Sequence, residues 1–180
     1  MGVNIRDIFD LVNYNFDYRS GVPVLLDWLP RMENLRVHDA IVRALTVKFA
    51  APAAVPAMLH EFECGLDYSR WAAGNALGFL ADRSILDDLL RLAKTKKFGT
   101  ARQEVAYALW RFKEPRVVAA LVELLKDDDV AGHALSALGR MNAVEARPAI
   151  EPFLTHANAW WRKTAKKAIA KFDKAATKRI

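Results

Sequence analysis

The sequence predicts an all-α protein of about five stacked helical hairpins behind an N-terminal capping helix. Three observations predict it. Near-copies of one phrase recur: Arg70-Trp71-Ala72-Ala73-Gly74-Asn75-Ala76-Leu77-Gly78, Arg102-Gln103-Glu104-Val105-Ala106-Tyr107-Ala108-Leu109 and Arg162-Lys163-Thr164-Ala165-Lys166-Lys167-Ala168-Ile169. With the weaker copies at Ala44-Leu45 and Ala137-Leu138, the anchor alanines 44, 76, 108, 137 and 168 stand 32, 32, 29 and 31 residues apart. A fixed period in this range is the mark of a stacked-repeat architecture. Around each anchor, apolar or small residues fall at −7, −3, 0, +1 and +4, the one-sided spacing of a helix packed on its neighbours.

The elements follow in order. Residues Asn4 to Phe16 form an amphipathic segment ahead of the first hairpin, suited to cover the exposed apolar end of a stack. Shorter apolar helices then alternate with the anchored ones, over Val22 to Leu29, Ala54 to Phe62, Ile85 to Ala93, Val117 to Leu125 and Pro148 to Leu154. The small residues at −3 and 0 (Ala73 and Ala76, Ala134 and Ala137, Ala165 and Ala168) allow close helix approach. In the last helix Trp161, Ala165, Ala168, Ile169, Phe172 and Ala176 give the pattern most fully.

Local signals set the expected boundaries. Ser84 with Asp87 and Thr100 with Gln103 have capping-box spacing, and Gly65 and Gly99 suit left-handed helix C-termini. Pro115 and Pro148 suit first-turn positions, and Asn158 suits an N-cap.

The phrase Arg-x-x-Ala-x-x-Ala-Leu-Gly, followed by a linker and an apolar helix such as Pro115 to Asp127, resembles the HEAT-repeat family, and more narrowly the short bacterial HEAT-like repeats found also in phycobilisome lyases. The resemblance covers residues 20–176. It implies a right-handed α-solenoid whose second helices line the concave face. It implies bilin-lyase activity only through the repeat type, because no lyase-specific residue carries over.

Composition bounds the function. The chain has 180 residues, 53% hydrophobic and 27% charged, which fits one repeat domain with a cap at 1–19, repeats at 20–176 and a basic tail at 177–180. One cysteine, Cys64, excludes an intrachain disulfide and a cysteine-rich metal site. The opening residues lack the order of a signal peptide, and no apolar run approaches a membrane span of about 20 residues, so a cytoplasmic, monomeric protein without membrane contact is expected. The net charge of +6 is concentrated: residues 161–180 hold eight cations against Asp173, a local +7, and the other 160 residues carry −1.

Chemistry-bearing residues are few. His38-Asp39 and His60-Glu61 resemble the His-acid pairs of metal-binding HEAT-type hydroxylases, but the later repeats read Gln103-Glu104, Gly132-His133 and Lys163-Thr164. The ligand set is therefore incomplete, and neither a metal, a cofactor nor a catalytic residue is expected. The recurring Arg70, Arg102 and Arg162 read as scaffold, pairing with acids or carbonyls of the adjoining repeat.

Positions −5, −1 and +3 form a stripe outside the apolar set. It supplies the candidate partner-binding residues Arg43, Trp71, Phe79, Tyr107, Arg111 and Arg140, aromatic and arginine side chains of the kind that dominate interface hot spots. Trp71 and Phe79 either form that surface or bury against neighbouring repeats, and Trp110, at +2, is expected in the core. Arg162, Lys163, Lys167, Lys171 and Lys174 form a basic ridge with two readings, a solvated cap helix or a track for phosphates. Three functions follow in order: a scaffold or regulatory protein binding another protein or peptide, a nucleic-acid binder in the style of the DNA-alkylation-repeat proteins, and a bilin-lyase-like enzyme.

Overall fold

The computed structural model describes residues 5–13 and 17–177, and every regular element among them is helical. A short helix α1 (Phe9–Asn13) precedes five hairpins: α2 (Val22–Trp28) with α3 (Leu35–Ala44), α4 (Ala54–Cys64) with α5 (Asp67–Leu80), α6 (Leu86–Lys94) with α7 (Gln103–Ala108), α8 (Pro115–Leu124) with α9 (Ala131–Met141), and α10 (Arg147–Ile150) with α11 (Ala159–Thr177). The chain groups into two compact units, residues 1–81 and 82–180. The first holds α1 to α5 and the second α6 to α11.

In the first unit α3 packs on α5, and α1 packs on α3 with Leu11 buried and the Arg36 guanidinium 4.9 Å from the centre of the Phe9 ring. The outer parts of the expected capping segment, Asn4 and Tyr14 to Phe16, lie outside the described residues. In the second unit the later helices of successive hairpins stack in turn, α7 on α9 and α9 on α11. The anchor alanines sit at these contacts: Ala44, Ala76 and Ala137 are fully buried, and Ala108 and Ala168 nearly so. A Cβ added to Gly139 would stand 2.9 Å from that of Ala168, which shows how closely α9 and α11 approach.

The repeated arginines act mainly within their own hairpins. Arg70 donates to the carbonyls of Phe62 (2.9 Å) and Gly65 (2.8 Å) and pairs with Asp67; Arg162 donates to those of His156 (2.6 Å) and Ala157 (2.7 Å). Each thereby satisfies carbonyls left bare where the preceding helix or turn ends. The expectation of pairing with the adjoining repeat holds for Arg102. Its guanidinium, with no exposed surface, donates to Ala93 O (3.0 Å) and also reaches Asp127 (2.9 Å) and Asp129 (3.1 Å) in the next hairpin's linker.

Several boundary signals read differently in three dimensions. Ser84 does not cap: Asp82 Oδ1 accepts from the Ser84 N–H (2.8 Å) and hydroxyl (2.5 Å) at the start of a 3-10 turn, Arg83–Ile85. Thr100 makes no cap either, because it lies inside a 3-10 segment, Lys96–Arg102, that leads into α7. Gly65 is extended (φ −70°, ψ 175°) rather than left-handed; a Cβ there would collide with the Glu61 carboxylate. Gly99 does take a positive φ of 50°, but in the linker, well past the end of α6. Asn142 holds the left-handed helix end instead (φ 60°, ψ 44°). Pro115 opens α8 and Asn158 Oδ1 accepts from the N–H groups of Trp160 (2.9 Å) and Trp161 (3.3 Å), as expected. The helix expected from Pro148 to Leu154 narrows to 3-10 geometry from Glu151, because Pro152 has no N–H to continue the α-helical ladder.

Candidate interaction surfaces

In the first unit the stripe residues stand on α3 and α5. Trp71 and Phe79 are 43% and 40% exposed, so they form surface rather than core. Each has a cation beside it. The Arg43 guanidinium, oriented by a 2.6 Å bond from its Nε to Asp39, lies 6.0 Å from the Trp71 ring centre. Lys48 donates to Phe79 O (2.6 Å) with its ammonium 4.9 Å from the Phe79 ring centre. Lys48 escaped the sequence reading because it lies one residue beyond the stripe, in the loop after α3.

In the second unit the stripe becomes a cluster. Arg140, on α9, donates from Nη1 to the Tyr107 hydroxyl of α7 (2.7 Å) and lays its guanidinium 3.9 Å from the Trp110 ring centre. Trp110 is therefore half-buried under an arginine, not a core residue. The cause is local: the chain tightens into a 3-10 turn at Leu109–Arg111, and three residues per turn in place of 3.6 swing position +2 round toward the stripe. Arg111 lies near Arg140, and burial, then that neighbouring charge, pushes its pKa below the ordinary arginine value.

The basic ridge of α11 divides. Arg162 is turned to backbone carbonyls, and Lys171 donates to Gly139 O and Arg140 O, both at 2.9 Å, closing the C-terminal end of α9. Lys163, Lys167 and Lys174 remain exposed. Lys167 and Lys171 border a cleft of about 310 Å³ between α9 and α11, with Arg140, Ser136, Gly139, Thr164 and Trp160. Lys167 and Lys171 hold the −1 and +3 positions of the stripe in the last repeat, so the ridge and the stripe meet at this place. Trp160, 46% exposed and edge-on to His133 (5.4 Å), was missed. Its signal was its position one turn ahead of Thr164, on the same helical face as Lys167 and Lys171.

The first unit also contains a cavity of about 440 Å³ lined by Leu29, Met32, His38, His60, Glu61 and Cys64 among others. His38 Nε2 stands 3.4 Å from Glu61 Oε2, and Ser69 Oγ donates to Glu61 Oε1 (2.7 Å). The two His-acid pairs of the sequence therefore meet through one member of each. Among the described residues no three His, Cys, Asp or Glu side chains converge as a metal site.

A family model described as HEAT repeats matches residues 61–132, from the last turn of α4 to the first residues of α9. The chain is thus similar to HEAT repeats over this central stretch, and the all-α hairpin fold agrees with it. Repeats of this family generally mediate protein interactions. Comparison with curated proteins found no match. No helix among the described residues is long and apolar enough to cross a membrane.

Proposed function

We propose that this protein is a non-enzymatic interaction scaffold that binds a protein or peptide through Arg43, Trp71 and Phe79 in the first unit and Tyr107, Arg111 and Arg140 in the second. One observation carries the reading: the helices that bury their alanine faces in the stacks leave aromatic rings exposed (Trp71, Phe79) or half-buried (Tyr107, Trp110) on another face, each with a cation beside it. Large rings held in place lose little entropy on binding, and water-excluding aromatic and arginine contacts concentrate interface energy. The similarity to HEAT repeats favours the same class. The resemblance of the repeat type to that of phycobilisome lyases supplies no residue that would handle a tetrapyrrole.

The test is affinity purification from the source cells with the wild-type chain and with Trp71→Ala/Arg140→Ala, both checked by circular dichroism. A protein held by the first and released by the second is the expected result. Equal capture by a folded variant would place the binding surface elsewhere.

The exposed lysines Lys163, Lys167 and Lys174 favour nucleic-acid binding as a second reading. Against it stands the interruption of the row at Arg162 and Lys171, whose charges face carbonyls of the protein itself.

A further inference from the structure

Many arginines of this chain face carboxylates. Arg19, Arg31, Arg43, Arg70, Arg83, Arg91, Arg102, Arg116 and Arg147 each have an Asp or Glu within ion-pair distance. Arg140 is different. Its guanidinium rests on Trp110 and is held by the Tyr107 hydroxyl, with Arg111 as a like-charged neighbour, and no carboxylate lines the cleft beside it. Lys167 reaches the same cleft and takes part in no ion pair or hydrogen bond among the described residues. The two hydroxyls of the cleft have spent their protons on the helix backbone, Ser136 on Gly132 O (3.0 Å) and Thr164 on Trp160 O (2.9 Å). What remains to meet a ligand is positive charge and the apolar face of Trp160.

We propose that the cleft between α9 and α11 binds an acidic peptide segment, with Arg140 and Lys167 receiving its carboxylates and Trp160 an adjoining apolar side chain. This rests on the interaction-scaffold reading and names the partner's chemistry for the second unit. Charge complementarity carries it: residues 82–180 hold twenty Lys and Arg against twelve Asp and Glu, whereas residues 1–81 hold seven against nine. An arginine already stacked and hydrogen-bonded gives up little freedom when a carboxylate docks on its remaining N–H groups, and the carboxylate offsets the repulsion between Arg140 and Arg111. A peptide fits better than a nucleic acid for two reasons. The cleft's volume of about 310 Å³ holds a side chain or two rather than a nucleotide strand, and the lysine row beyond it is broken at Arg162.

The experiment is fluorescence anisotropy on the full chain with a labelled peptide of about ten glutamates interrupted by one leucine, a lysine peptide of the same design and an oligothymidylate of matched charge. Binding of the glutamate peptide at low salt should weaken with added salt. It should fall about tenfold or more in Lys167→Gln and in Arg140→Gln, and stay unchanged in Lys126→Gln, whose side chain lies outside the cleft. Lys167 is exposed and forms no ion pair or hydrogen bond among the described residues, so that variant remains informative if Arg140→Gln loses stability. Absence of glutamate-peptide binding at low salt overturns the proposal, as does binding that Lys167→Gln leaves intact. Preferential binding of the oligothymidylate, lost in Lys167→Gln, assigns the cleft to nucleic acid and overturns it too. None of these outcomes bears on Trp71, so the scaffold reading stands or falls by its own purification test.

Discussion

Arg102 shows what a single buried charge demands. Desolvating a guanidinium is costly unless acceptors surround it, and Asp127, Asp129 and the Ala93 carbonyl do so. Removing it in Arg102→Ala strands Asp127 beside an emptied pocket and is expected to cost about 3–5 kcal/mol, read from urea unfolding. The pair also sets a pH dependence. Hydrogen bonding to Arg102 holds the Asp127 carboxyl below its ordinary value of 3.8, against the smaller opposing effect of burial. A native carboxyl with a depressed pKa binds fewer protons than the unfolded chain, so its stabilisation is complete above that ordinary value and lost as the pH falls below it. Asp127→Asn should flatten this acid limb of the stability curve. At Gly132 the constraint is space: any Cβ would strike the Trp160 ring. Gly132→Ala should displace Trp160 and change the intrinsic tryptophan emission, and an unaltered spectrum would show that the ring does not rest there.

Helices in this chain are decided at their ends and at their small faces. Asn158 caps α11 through two N–H groups, and Asn158→Ala should lower stability by about 1 kcal/mol. Ala137, fully buried on α9, leaves no room for a larger side chain; Ala137→Leu should cost about 1–3 kcal/mol, and a melting temperature unchanged within a degree would contradict the observed packing. The alanine period made these contacts readable in advance because close approach constrains side-chain size, which sequence records directly. Capping was less readable. Ser84 and Thr100 satisfy a spacing rule, yet the chain there runs in 3-10 turns, so the expected N-cap is displaced to Asp82 in one case and absent in the other.

At the scale of the molecule, exposure separates the proposed partner surface from the core. Trp71→Ala/Phe79→Ala should keep the unfolding free energy within about 1 kcal/mol of wild type, whereas Leu77→Ala, removing a fully buried side chain of the same helix, should cost about 2–5 kcal/mol. A double variant as damaging as Leu77→Ala would mean that the stripe is structural. By itself the sequence determined the repeat, the hairpins, the buried alanines and the candidate side chains on each helix, because period and residue size follow from packing between sequential neighbours. Only the tertiary structure decided that Trp71 and Phe79 face outward, that Arg140 rests on Trp110, and that Lys167 and Lys171 share a cleft with it. Those outcomes depend on the twist of a 3-10 turn and the distance between helices about 30 residues apart, and neither quantity is written in the spacing of residues along one helix.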